Sequence, residues 1–167
     1  YNDPERFGFQ TQLFFLLQRY RQQQDLRQVD MFQKLLITDY MFVKDRLFAS
    51  LNLGDKEMQL YDTVASLLER NIIRPDIVIY LQADTDVLMK NIEKRGRNME
   101  KNVTWEYIDA LNQVYTEYFF RYQDTPLVII NTNNIDFVEN ENDLKEVIDY
   151  IRQPVSGTKF FNPVTEF

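Results

Sequence analysis

Three short apolar runs set what this chain can become: Leu35-Leu36-Ile37, Ile77-Val78-Ile79-Tyr80-Leu81 and Leu127-Val128-Ile129-Ile130. A run without polar alternation suits a strand buried on both faces, as in parallel sheets covered by helices. Between the runs, apolar residues recur every three or four positions, the period of a helix. Strands alternating with helices predict an α/β fold with a parallel sheet.

The first helix is predicted from Pro4, which suits a first turn, with Asp3 as N-cap, to about Gln24. Phe9, Leu13, Leu16, Leu17 and Tyr20 would form its apolar face. Helices are predicted over 41–51 and from 55 to about 71. In the second of these, Leu60, Val64, Leu67 and Leu68 make a stripe for the core or a subunit contact. Asp84 should cap a helix carrying Val87, Leu88 and Ile92, and Thr104 one running to about Tyr122. A last helix should span about 140–152.

These strands are few for a full doubly wound sheet. The chain opens on Tyr1 at a helix start, and none of its four glycines lies in a GxxxxGK pattern. A βαβ unit with a phosphate-cradling loop is therefore expected to precede position 1. We read residues 1–152 as one domain lacking that unit, and 153–167, with two prolines and Gly157, as a surface tail.

Composition narrows the chemistry. With no Cys and no His, disulfides and thiolate or imidazole metal sites are excluded. Acid–base work falls to carboxylates, and any metal should be a hard cation such as Mg²⁺ held by oxygens. The net charge of −7 argues against general nucleic-acid binding, which rests on neutralising phosphates. No apolar run approaches the ~18 residues of a membrane span, and no signal peptide is visible. A cytoplasmic location is the expectation.

Against that acidic background, the loop Lys94-Arg95-Gly96-Arg97-Asn98-Met99-Glu100 stands out. Two guanidiniums on a hinged loop can close on a polyphosphate with forked, charge-assisted hydrogen bonds and offset charge developing in phosphoryl transfer. A basic turn at a helix C-terminus, complementing the helix dipole, is the bland alternative. Gln12 and Arg19 lie two turns apart on one side of the first helix, where a solvated face is the ordinary explanation. Asp39 follows a predicted strand, at the edge where open α/β sheets bind ligands.

In order and spacing, the segments YNDPERFGFQTQ, DYMFVKDRLFA, PDIVIYLQA, KRGRNME and NTNNIDF resemble deoxynucleoside kinases, particularly the bacterial deoxyadenosine/deoxyguanosine kinases. The resemblance covers nearly the whole chain. It implies a P-loop kinase-type three-layer α/β/α fold and transfer of the γ-phosphoryl group of ATP, with Mg²⁺, to the 5′-hydroxyl of a deoxynucleoside. By the same resemblance, Gln12 pairs with the base edge, Arg19 and Asp45 form a charged pair at its far side, and Phe48 packs on it. Tyr1 and Glu100 would share the sugar 3′-hydroxyl. Arg95 and Arg97 would hold ATP phosphates, and Asp136 and Phe137 would lie in the loop contacting its adenine. Asp39 keeps the acid of a Glu/Asp-Arg-Ser motif, for Mg²⁺ or the 5′-hydroxyl region, but the arginine beside it is replaced by Tyr40. The general base would precede position 1.

The implied function is nucleotide salvage on purine deoxynucleosides or deoxycytidine, by a homodimer. A thymidylate-type monophosphate kinase on the same fold, or a non-catalytic fragment binding a nucleoside or a partner chain, are the competing expectations.

Overall fold

The computed structural model describes residues 4–26, 35–100 and 102–163. The chain divides into two compact units, Tyr1–Arg74 and Pro75–Phe167.

The first unit is helical, with α1 Pro4–Leu26, α2 Val43–Asn52 and α3 Asp55–Glu69. Asp55 and Glu57 occupy the first turn of α3, where carboxylates complement the helix dipole. The core is built on Leu16, Phe42, Ala49, Tyr61 and Ala65, with Phe9, Leu13, Tyr20, Tyr40, Val64 and Leu68 packed around it. Ala49 and Ala65 let the helices approach closely. Leu17, expected in this core, is exposed; it lies about 100° round the helix from Leu16, which takes the buried position. The α3 stripe also splits, with Val64 and Leu68 turned to the core and Leu60 and Leu67 left exposed.

The Tyr61 hydroxyl is buried without a hydrogen-bond partner among the described residues. Leaving such a group unsatisfied costs about 1–3 kcal/mol. Tyr61→Phe should therefore raise the unfolding free energy by about 1 kcal/mol, read from denaturant melts. A loss of stability instead would mean that the hydroxyl makes a bond after all.

Residues 35–37, expected as a strand, form no regular element. Leu35 is 75% and Ile37 82% exposed. A strand exists only through its neighbour's hydrogen bonds, and no described residue pairs with this one.

The second unit carries β1 Val78–Gln82, α4 Thr85–Arg95, a 3₁₀ turn at Asn98–Glu100, α5 Trp105–Arg121, β2 Leu127–Asn131, α6 Glu141–Ile151 and β3 Thr158–Phe161. The strands form a parallel sheet in the order β1-β2-β3. Tyr80 pairs with Ile129 and Ile129 with Phe160, while Leu81 pairs with Ile130 and Ile130 with Phe161. Paired residues in a parallel sheet share a face. Tyr80 stacks on Phe119 of α5 at 4.3 Å between ring centroids, so α5, with α4 packed on it, covers one face. Val128, Ile130 and Phe161 pack with Val147 of α6, which covers the other. These are the three layers expected.

Only β2 is buried on both faces throughout its apolar run. Ile79 and Leu81 of β1 are 39% and 47% exposed, so the expectation of a doubly buried first strand fails at this sheet edge. β3 lies within what the sequence suggested was a tail. Its residues 158–161 are flanked by Pro154, Gly157 and Pro163, which mask a four-residue strand. The Leu127 N–H donates to the Gly157 carbonyl at 2.9 Å, where the ladder begins.

Candidate functional site

Each unit contributes one group of chemically able side chains. In the first, Tyr40 lies just before α2 and Asp45 in its first turn. The Tyr40 hydroxyl donates to Asp45 Oδ2 at 2.6 Å. The Arg19 guanidinium, from α1, sits over the Tyr40 ring at 4.5 Å from its centroid and donates to Gln22 Oε1 at 3.0 Å. Arg19 and Asp45, expected to pair directly, are thus joined through Tyr40. Gln12 lies two turns before Arg19 on α1, and Phe48 three residues after Asp45 on α2; both are half-buried.

Burial raises the Asp45 carboxyl above its ordinary 3.8, and the Tyr40 hydrogen bond, Arg19 and Lys44 only partly offset it. Burial and the hydrogen bond to Asp45 push the Tyr40 phenol well up, so it stays protonated and donating. A carboxyl whose folded pKa lies above its unfolded value favours folding fully below the unfolded value and loses that contribution as pH rises through the folded one. Asp45→Asn removes this titration while its amide oxygen can still accept from Tyr40. The variant's stability should then fall less than the parent's as pH rises from about 4 toward neutrality, in melts at stepped pH. Parallel profiles would mean that Asp45 is not the titrating group.

Asp39 sits at a bend with its side chain exposed. Its carbonyl accepts from Lys44 Nζ at 3.3 Å, and its carboxylate is in no ion pair among the described residues. Those residues contain no cluster of three or more acidic groups able to cage a metal. One free carboxylate fits Mg²⁺, which is commonly held by one or two carboxylates plus nucleotide phosphates.

The second group lies where α4 ends. Gly96 has φ +63° in the left-handed region, and its N–H donates to the Ile92 carbonyl; a side chain there would be strained. The chain then turns through Arg97 into the 3₁₀ turn. Arg95 meets Glu100 through two bonds, Nε to Oε2 at 3.1 Å and Nη2 to Oε1 at 2.8 Å. Arg97 is exposed and makes no ion pair with a described residue. Lys94 reaches Glu139 Oε1 at 3.5 Å and Asp136 Oδ2 at 3.9 Å.

Asp136 is occupied by its own loop. Its Oδ1 accepts from the Val138 and Glu139 N–H groups at 3.2 and 3.1 Å, and its N–H donates to Asp143 Oδ2. Phe137 is half-buried beside it. The base of α4 is fastened to α5 by the Thr85 hydroxyl on Asp109 at 2.8 Å, the Trp105 indole N–H on Asp86 at 2.8 Å, and Asn112 on the Ala83 carbonyl at 3.0 Å. Tyr1 lies outside the described residues.

Residues 1–156 match the family model described as deoxynucleoside kinase. The chain belongs to the deoxynucleoside kinase family. Within it, the chain is 28% identical to the deoxyguanosine kinase of Bacillus subtilis (strain 168), the alignment covering 92% of this chain and 76% of that one. It is 29% identical to the deoxyadenosine kinase of Dictyostelium discoideum, over 98% of this chain and 66% of that one. A solved structure of deoxyadenosine kinase from M. mycoides with bound dATP superposes with a TM-score of 0.75, at 23% identity over 92% of this chain and 78% of that one. That likeness establishes the P-loop kinase fold. As a deoxynucleoside kinase family member, the protein is a phosphotransferase acting on nucleosides.

Sequence reasoning named Arg19 and Asp45 but not the Tyr40 that joins them. The signal was present as Tyr40 standing where the family motif carries arginine. Lys94, which ties α4 to the Asp136 loop, went unassigned because a helix-terminal lysine has an ordinary explanation in the dipole.

Proposed function

We propose that the protein transfers the γ-phosphoryl group of ATP to the 5′-hydroxyl of a purine deoxynucleoside or deoxycytidine, in the cytoplasm, as a salvage enzyme. The observation that carries the reading of substrate class is the half-buried Arg19–Tyr40–Asp45 cluster. It sets a carboxylate acceptor beside a guanidinium donor, the polar complement of a base edge. The dATP held by the M. mycoides deoxyadenosine kinase and the purine substrates named for the bacterial relatives point the same way.

In this reading Gln12 pairs with the base edge and Phe48 packs on its plane. Tyr1 and Glu100 hold the sugar 3′-hydroxyl. Arg95 and Arg97 close on the phosphates, and the loop of Asp136 and Phe137 lies against the adenine of ATP. Asp39 would hold Mg²⁺, which, when bound, screens the phosphate charge. Catalysis is then positioning plus electrostatic stabilisation of an in-line transfer. The exposed Leu60 and Leu67, two turns apart on α3, are the face through which a homodimer would form. The deciding assay offers ATP, Mg²⁺ and each of the four natural deoxynucleosides to the full-length protein. We expect turnover with deoxyadenosine, deoxyguanosine or deoxycytidine; no phosphorylation of any nucleoside would sink the reading.

A further inference from the structure

The Tyr40 phenol touches both of the charged groups read as meeting the base. Its hydroxyl gives Asp45 Oδ2 a short bond of 2.6 Å, against 3.4 Å to the Phe42 carbonyl. One hydrogen can serve only one of these well, and the shorter contact takes it. The ring face carries Arg19. The side chain is half-buried and packed against the first unit's core, so the strut does not swing freely. Asp45 Oδ1 receives no hydrogen bond from a described residue. Among the described residues the carboxylate is therefore held by one oxygen only.

We propose that Tyr40 is a positioning residue for base selection: by fixing Asp45 through Oδ2 it aims Oδ1 at an exocyclic amine and makes the protein prefer amine-bearing bases. This rests on the kinase reading above. A carboxylate with one oxygen pinned accepts an N–H along a set direction, whereas a loose one re-aims and discriminates less. Losing a bond that meets an unpaired partner is the kind of penalty from which specificity comes. The donor is permanent, because the phenol stays protonated across the working range of pH. Arg19 over the ring adds a second constraint, since the same side chain that holds the acceptor also seats the donor.

The test compares substrates that differ only in the amine: deoxyadenosine against purine 2′-deoxyriboside, and deoxyguanosine against deoxyinosine. Tyr40→Phe keeps the ring under Arg19 and removes only the hydroxyl. For whichever pair the full-length protein uses, the parent should favour the amine-bearing member about tenfold or more in kcat/KM, the worth of one well-made bond to a charged group. Tyr40→Phe should bring that preference to within about threefold. The loss should fall on KM for the amine-bearing nucleoside, with kcat little changed. A merely structural tyrosine would instead depress both members of a pair equally.

Asp45→Asn supplies a check that does not depend on how Tyr40→Phe folds. An amide has only one acceptor oxygen, and Tyr40 claims it, so the amine preference should collapse there too. Adding Tyr40→Phe to Asp45→Asn should then change the preference no further. An unmoved preference in either single variant overturns the inference while leaving the kinase reading intact. Absence of turnover on every nucleoside by the parent overturns the kinase reading, and this inference with it.

Discussion

Arg97→Ala should lower kcat for phosphoryl transfer by about a thousandfold, the low end of what a guanidinium on a transferring phosphoryl group supplies. That is about 4 kcal/mol of barrier. Arg97 is the cleaner probe of the two arginines. It is exposed and in no ion pair with a described residue, so removing it breaks no described ion pair, and thermal melting should move little. A loss confined to kcat and kcat/KM, with nucleoside KM unchanged, marks an interaction made at the transition state. Arg97→Lys should recover only part of the rate, since an ammonium lacks the planar fork. Arg95 differs because it must first leave Glu100. That pair is half-exposed and so contributes little to stability. Wild-type turnover by Arg97→Ala would place this side chain outside the phosphate site.

Arg19→Ala is the second large effect, expected in kcat/KM for the preferred nucleoside at about 10- to 100-fold, equivalent to about 1.5–3 kcal/mol for a charged hydrogen-bonding group. Two losses combine there. The proposed donor to the base edge disappears, and the cation over the Tyr40 ring goes with it, removing a charge that lowers the Asp45 pKa. The loss should therefore weigh on the best substrate and narrow the spread among deoxynucleosides. Steady-state kinetics on all four would show it; unchanged specificity constants would remove Arg19 from the pocket.

The layered α/β organisation was legible because β2 and the helices obey simple periods. Leu127 to Ile130 are all buried, and Thr104 stands at the start of its helix as expected, accepting from the Tyr107 N–H. Leu35–Ile37 misled because an apolar triplet says nothing about whether a partner strand stands beside it. β3 was hidden by its short length and flanking prolines, since pairing with β2, not local propensity, makes it a strand. In the site, single residues were legible by motif, but their wiring was not. Tyr40 and Asp45 are five residues apart across a helix start, a spacing that matches no periodic rule. Whether a phenol there donates to a carboxylate depends on where α1 places Arg19. Likewise, Asp136 read as a ligand-loop residue, yet its carboxylate is committed to two amides of its own turn, a commitment set by loop conformation.

The indole of Trp105 gives this molecule a built-in optical gauge. It is the single tryptophan in the chain, bonded to Asp86 in the first turn of α4, on the helix that delivers the arginine loop. Its emission therefore reports on the second unit alone, while far-ultraviolet dichroism sums the helices of both. Melting curves from the two signals should coincide if the units unfold together and separate if they do not. A nucleotide that shifts α4 should alter the fluorescence with no label attached.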